Sequence, residues 1–136
     1  MRLIVCVDEK DGLSFGGRRQ SRDRSLVERV LELTGGSTLW MDKYTAGLFS
    51  DAAERICVHE DCLALAGEND WCFAELQDLA AYAPKVNTLV IYRWNRRYPA
   101  DRLLPLALLL ECPRFASRRD FPGSSHERIT EEVYCR

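Results

Sequence analysis

Apolar positions fall along this chain in short runs divided by polar turns, and the runs alternate between two periods. Residues 3–7 are a continuous apolar run that stops at Asp8-Glu9-Lys10-Asp11-Gly12, the pattern of a strand buried on both faces that enters a loop. Residues 12–22 carry three glycines and three arginines and read as a mobile or functional loop. After it, Leu26, Val27, Val30, Leu31 and Leu33 follow helical spacing behind Ser21 or Asp23 as the cap, and Gly35-Gly36 closes the segment.

The alternation continues downstream. Strands are predicted over 38–41, 55–59, 71–74 and 88–92. Short helices are predicted over 44–49, 62–66 and 76–82, the last ending before Pro84. Residues 109–117 and 129–134 read as an antiparallel pair joined by a turn around Phe121-Pro122-Gly123-Ser124-Ser125. This βαβ rhythm predicts an α/β domain in three layers. Its central sheet is mixed but mostly parallel, helices cover both faces, and an antiparallel hairpin closes the C-terminal end. No internal repeat or linker divides the chain, so residues 1–136 are expected to form a single domain.

Composition narrows the class of partner. Nineteen basic side chains stand against twenty-one acidic ones, with 46% hydrophobic and 10% aromatic residues, so a packed core is affordable and no overall field draws nucleic acid or an anionic membrane. Six cysteines include no Cys-x-x-Cys, which reads as small buried hydrophobes kept reduced. The opening apolar run is too brief for a leader or a membrane span. Together these features imply a cytoplasmic protein with no membrane partner.

The order of pieces resembles that of dihydrofolate reductases and their relatives over nearly the whole chain. LIVCVDEKDG (3–12) is similar to the family's first strand and the glycine that opens its active-site loop. TLWMDKYTAGLF (38–49) resembles the second strand with its Gly-Arg-x-Thr turn, and 70–92 resembles the cofactor-side strand, helix and following strand. YPAD (98–101) and DFPGSSHERITEEVY (120–134) resemble the closing hairpin. The resemblance implies NADPH as cofactor, a heterocyclic substrate, and Asp23 as the acidic residue that holds the substrate ring. Asp23 equally fits a helix N-cap.

Departures from the family pattern limit what carries over. Where paired glycines would let bare backbone approach the NADPH diphosphate, this chain has Ala74 and Glu75; the tyrosine expected shortly after is Leu79. A carboxylate facing a diphosphate is repulsive, so the usual NADPH mode is expected to be lost. In the phosphate-gripping turn stand Asp42, Lys43, Tyr44 and Thr45, of which Lys43 and Thr45 still suit a phosphate. The family's Leu-Pro-Trp is Arg18-Arg19-Gln20 here. With Arg22 and Arg24 nearby, the loop makes the cleft basic and keeps Asp23 ionised.

The favoured reading is a divergent domain without NADPH-dependent hydride transfer. It binds an anionic small ligand, a nucleotide or phosphorylated metabolite, in the ancestral cleft through Arg18, Arg19, Gln20, Arg22, Lys43, Thr45 and Glu75. One alternative is a working NAD(P)H-dependent reductase of a pterin- or pyrimidine-like heterocycle, with Asp23 catalytic. Another is an RNA-binding or RNA-processing protein that uses Arg18–Arg24 and the cluster around Trp94, Arg96 and Arg97. A zinc hydrolase of the ribonuclease Z type is not supported, because His59 and His126 are the only histidines and neither lies in a His-x-His-x-Asp-His pattern. No metal ligands are assigned. Ser124-Ser125-His126-Glu127 holds the vocabulary of nucleophilic catalysis, and His126 is a secondary candidate, but adjacent residues on one turn rarely converge.

Overall fold

The computed structural model describes residues 1–136. In chain order the strands are β1 (Arg2–Val7), β2 (Gly12–Phe15), β3 (Arg18–Arg19), β4 (Leu39–Met41), β5 (Ile56–Val58), β6 (Trp71–Phe73), β7 (Thr88–Arg93), β8 (Arg102–Leu103), β9 (Arg114–Phe121) and β10 (Ile129–Cys135). The α-helices are α1 (Arg24–Leu33), α2 (Lys43–Ala46), α3 (Cys62–Leu65) and α4 (Leu106–Glu111), with 3₁₀ turns at Gly47–Arg55 and Ala80–Lys85. Seven strands make one sheet in the order β5-β4-β6-β1-β7-β10-β9, and β3-β2-β8 form a small second sheet.

In the large sheet β1 runs parallel to both β6 and β7, and β4 runs parallel to β5 and β6. Strand β10 is antiparallel to β7 and to β9. The mixed, mostly parallel sheet and its closing hairpin are therefore as the sequence pattern predicts. The unbroken apolar run of β1 is needed because both faces are covered: Leu3, Val5 and Val7 enter one core with Leu89, Leu79 and Leu108, while Ile4 enters the other with Leu26, Val30 and Phe73. Leu26 and Val30 of α1 are fully buried on that second face, each contributing about 1.5–3 kcal/mol. No helix is long and apolar enough to cross a membrane. All six cysteines are free, with Cys62, Cys72 and Cys112 buried.

Three local expectations are corrected. Residues 12–22 are not a mobile loop throughout: β2 and β3 pair across Gly16-Gly17, with Ser14 opposite Arg19 and Phe15 opposite Arg18. Both glycines hold positive φ, 60° and 72°, which a two-residue hairpin turn requires and side chains resist. Residues 109–117 are not one strand. The leucine-rich stretch behind Pro105 winds into α4, burying Leu108 and then Cys112 one turn on, and β9 starts only after Pro113. Residues 76–82 do not form a regular helix; a 3₁₀ turn follows at Ala80–Lys85, with Pro84 inside it.

Candidate functional site

The residues that follow the carboxyl ends of β1, β4, β6 and β7 converge on one edge of the sheet, where ligand crevices of open α/β folds lie. Asp8 follows β1. Its carboxylate accepts hydrogen bonds from the backbone N–H groups of Lys10, Gly12 and Tyr98 and from the Gln20 amide. Burial pushes this carboxyl up, but those donors outweigh it and hold it below the usual range. Gly12 must lack a side chain here, since a Cβ would stand 2.6 Å from the Gln20 amide and 2.7 Å from Ala100. Gln20 is thereby clamped between Asp8 and the Pro99 carbonyl.

Glu75, just past β6, fills the floor of this crevice. Arg19 meets it with two parallel hydrogen bonds, Nε and Nη2 each donating at 2.9 Å, and the buried Thr45 hydroxyl donates to the same carboxylate at 2.8 Å. The Arg19 guanidinium also lies over the Tyr44 ring at 4.1 Å and donates to the Tyr44 carbonyl, while the Arg19 N–H donates to the Tyr44 hydroxyl. The space left among Cys6, Leu13, Arg19, Gln20, Ser21, Ala74, Glu75 and Trp94 is about 10 Å³, too little for a ligand. Thr45 is thus engaged inside the protein. Lys43 is exposed on the first turn of α2, which Asp42 caps by accepting from the Thr45 N–H.

Asp23 is the N-cap of α1, as one reading of the sequence has it, and something more. Oδ1 accepts from Ser25 N, Leu26 N and Ser124 N; Oδ2 accepts from Ser125 N and His126 N and lies 3.0 Å from His126 Nδ1. Desolvation alone raises this carboxyl, yet the bonds from Ser124, His126, Ser125 and Leu26 more than offset it and bring the pKa from 3.8 to about 2. The β9–β10 turn can wrap the carboxylate this closely because residue 123 is glycine: a Cβ there would sit 2.6 Å from both Asp23 Oδ2 and the His126 carbonyl oxygen.

His126 is buried and stacked on Trp94, ring centroids 4.5 Å apart and 20° from parallel. Its Nε2 faces two hydroxyls, Tyr98 at 2.9 Å and Ser21 at 3.1 Å. Trp94 is therefore core rather than an exposed stacking platform. Arg93 is paired with Asp11 and Glu132, and Arg96 lies 5.9 Å from the Tyr98 ring centroid. Arg97 stands with Asp8, Lys10 and Tyr98 around a separate surface cleft. Arg18, Arg22 and Ser21 share an open depression with Arg19 and Tyr44 at the mouth of the closed crevice. Ser21 and Tyr98 are the site members that sequence reasoning missed; Ser21 was visible only as a helix cap.

The strand order, the crevice at the carboxyl ends and the closing hairpin define a dihydrofolate reductase-like fold. Among solved structures, dihydrofolate reductase from Enterococcus faecalis, complexed with NADP(H) and RAB-propyl, matches 99% of this chain over 95% of its own, with a TM-score of 0.68 and 14% sequence identity. The likeness is one of fold. No protein-family model matches the chain, and no curated protein sequence matches it.

Proposed function

We propose that this dihydrofolate reductase-like chain has given up the dinucleotide site and binds an anionic small ligand, a nucleotide or phosphorylated metabolite, at the basic mouth of the closed crevice. The observation that carries the reading is the Arg19–Glu75 pair. It stands where the resemblance puts the cofactor's diphosphate, and displacing Arg19 would leave the buried Glu75 carboxylate without its charged partner. The solved neighbour is complexed with NADP(H); the same pose here would bring a diphosphate against Ala74 Cβ and the Glu75 carboxylate. Arg19 is neutralised by Glu75, whereas Arg18 and Arg22 have no carboxylate partner and face the depression with Ser21 and Tyr44. Two free guanidiniums beside polar hydroxyls suit phosphate oxygens.

The test is a melting-temperature screen of inorganic pyrophosphate, ADP and ATP against uncharged adenosine, repeated with Arg18→Glu/Arg22→Glu. Stabilisation by the anions alone, weakening with salt and lost in the charge-reversed variant, is the expected result. Equal stabilisation by adenosine, or anion binding unaffected by the reversal, would overturn the reading.

A further inference from the structure

We propose that Ser21, His126 and Asp23 act as nucleophile, general base and positioning carboxylate in the hydrolysis of carboxylic esters that bear an anionic group, through an acyl-Ser21 intermediate. Two segments supply the set: Ser21 and Asp23 lie in the short junction between β3 and α1, Asp23 as the cap of that helix, and His126 reaches them from the β9–β10 turn more than 100 residues on. Ser21 Oγ lies 3.1 Å from His126 Nε2, and His126 Nδ1 lies 3.0 Å from Asp23 Oδ2, both within the range expected of a nucleophile–base–carboxylate chain.

The division of labour on Asp23 argues for more than a cap. Capping α1 occupies only Oδ1; Oδ2 is given over to the 125–126 backbone and the imidazole. An ionised Oδ2 beside Nδ1 places the ring proton there, so the Nε2 lone pair faces the two hydroxyls. Trp94 on one face of the ring prevents it from turning away. Of the set, Ser21 reaches the open depression, while His126 and Asp23 are shielded from water.

In the reaction, Ser21 Oγ bonds to the ester carbonyl carbon as its proton passes to His126 Nε2. The oxyanion that forms is met by the Tyr98 hydroxyl, which is 3.4 Å from Ser21 Oγ. The bond from carbon to the leaving alkoxide then breaks and the Nε2 proton goes to that alkoxide, releasing the alcohol. A water gives a proton to Nε2 while its oxygen attacks the acyl carbon; the carbon–Oγ bond breaks, the proton returns to Ser21 and the carboxylic acid leaves. Only the preference for an anionic ester, met by Arg18 and Arg22, rests on the function proposed above. Turnover of a neutral ester tests the three residues by themselves.

The experiment uses the full chain with a fluorophosphonate probe and two esters, 4-nitrophenyl acetate and 4-nitrophenyl hemisuccinate. Peptide mapping should place the phosphonate on Ser21. Ser21→Ala, whose melting temperature should be unchanged, should lose labelling and at least about 100-fold in kcat/KM on both esters. Asp23→Asn, assayed where it remains folded, should lower kcat while KM stays the same, a split that loosened packing would not produce. Selectivity for the hemisuccinate over the acetate, read as the ratio of the two kcat/KM values, should vanish in Arg18→Glu/Arg22→Glu. Wild-type protein that labels elsewhere, or no faster than its other serines, overturns the proposal without any variant. Ester turnover that survives in Ser21→Ala does so too.

Discussion

The Arg19 guanidinium and the Glu75 carboxylate face each other through two parallel 2.9 Å hydrogen bonds at the floor of the crevice. Glu75 is nearly sealed from solvent, and Arg19 keeps a fifth of its side chain exposed. A carboxylate in that position cannot stand alone, so the strap formed by β2 and β3 is held to β6 by electrostatics as well as by its turn.

Arg19→Ala should therefore destabilise the protein by about 2–3 kcal/mol, somewhat below a fully buried pair because Arg19 still reaches water. Arg19→Ala/Glu75→Ala should recover much of that loss, since neither charge is then stranded. Urea unfolding of the two single variants and the double variant measures the coupling. Strictly additive losses would mean that the pair does not hold the strap.

Gly123 and Gly16 should respond to alanine for different reasons. At Gly123 the new methyl would press on Asp23 Oδ2 and the His126 carbonyl, both at 2.6 Å, and should cost about 2–3 kcal/mol while disturbing the His126 ring. At Gly16 the methyl meets nothing within 4 Å, but φ is +60°, which should cost about 1 kcal/mol. The comparison is read from denaturation midpoints of the two variants, and a larger loss at Gly16 would contradict the account of the Asp23 turn.

Asp23 also sets a pH window. Its folded pKa lies below the ordinary 3.8, at about 2, so its contribution is complete above pH about 4 and is lost as the pH falls toward about 2; linkage puts it at about 2 kcal/mol. Stability of the wild type minus that of Asp23→Asn should shrink across that interval. A difference that does not change on acidification would show that the carboxylate is not held as described.

Much of the fold was legible because β1, β4, β6 and β7 are apolar runs that end in turns, and the spacing of Leu26 and Val30 marks α1. The misreadings have physical causes. Gly16-Gly17 beside Arg18 and Arg19 reads as a loose basic loop by composition, although paired glycines between short extended segments also encode a tight hairpin. The leucines of 106–110 suit helix and strand alike, and Pro105, capping from outside, decides the matter. Within the site, Asp23, Arg19 and Glu75 could be named from the chain because they replace or fill positions of a known pattern. That His126 would reach Ser21 across 105 residues has no local signature; the residues at 121–125 mark a hairpin turn and nothing in them names the carboxylate it wraps.

Loss of the dinucleotide site is tested by following nicotinamide fluorescence and melting temperature as NADPH is raised to millimolar concentration. With the crevice filled by Arg19 and Glu75, the fluorescence should show no saturable change and the melting temperature should stay where it is. A cofactor present at a hundred times its dissociation constant would add about 2.7 kcal/mol. A saturable signal with a rise above about 3 °C would therefore mean that the ion pair yields to the dinucleotide and that the crevice is still a reductase site.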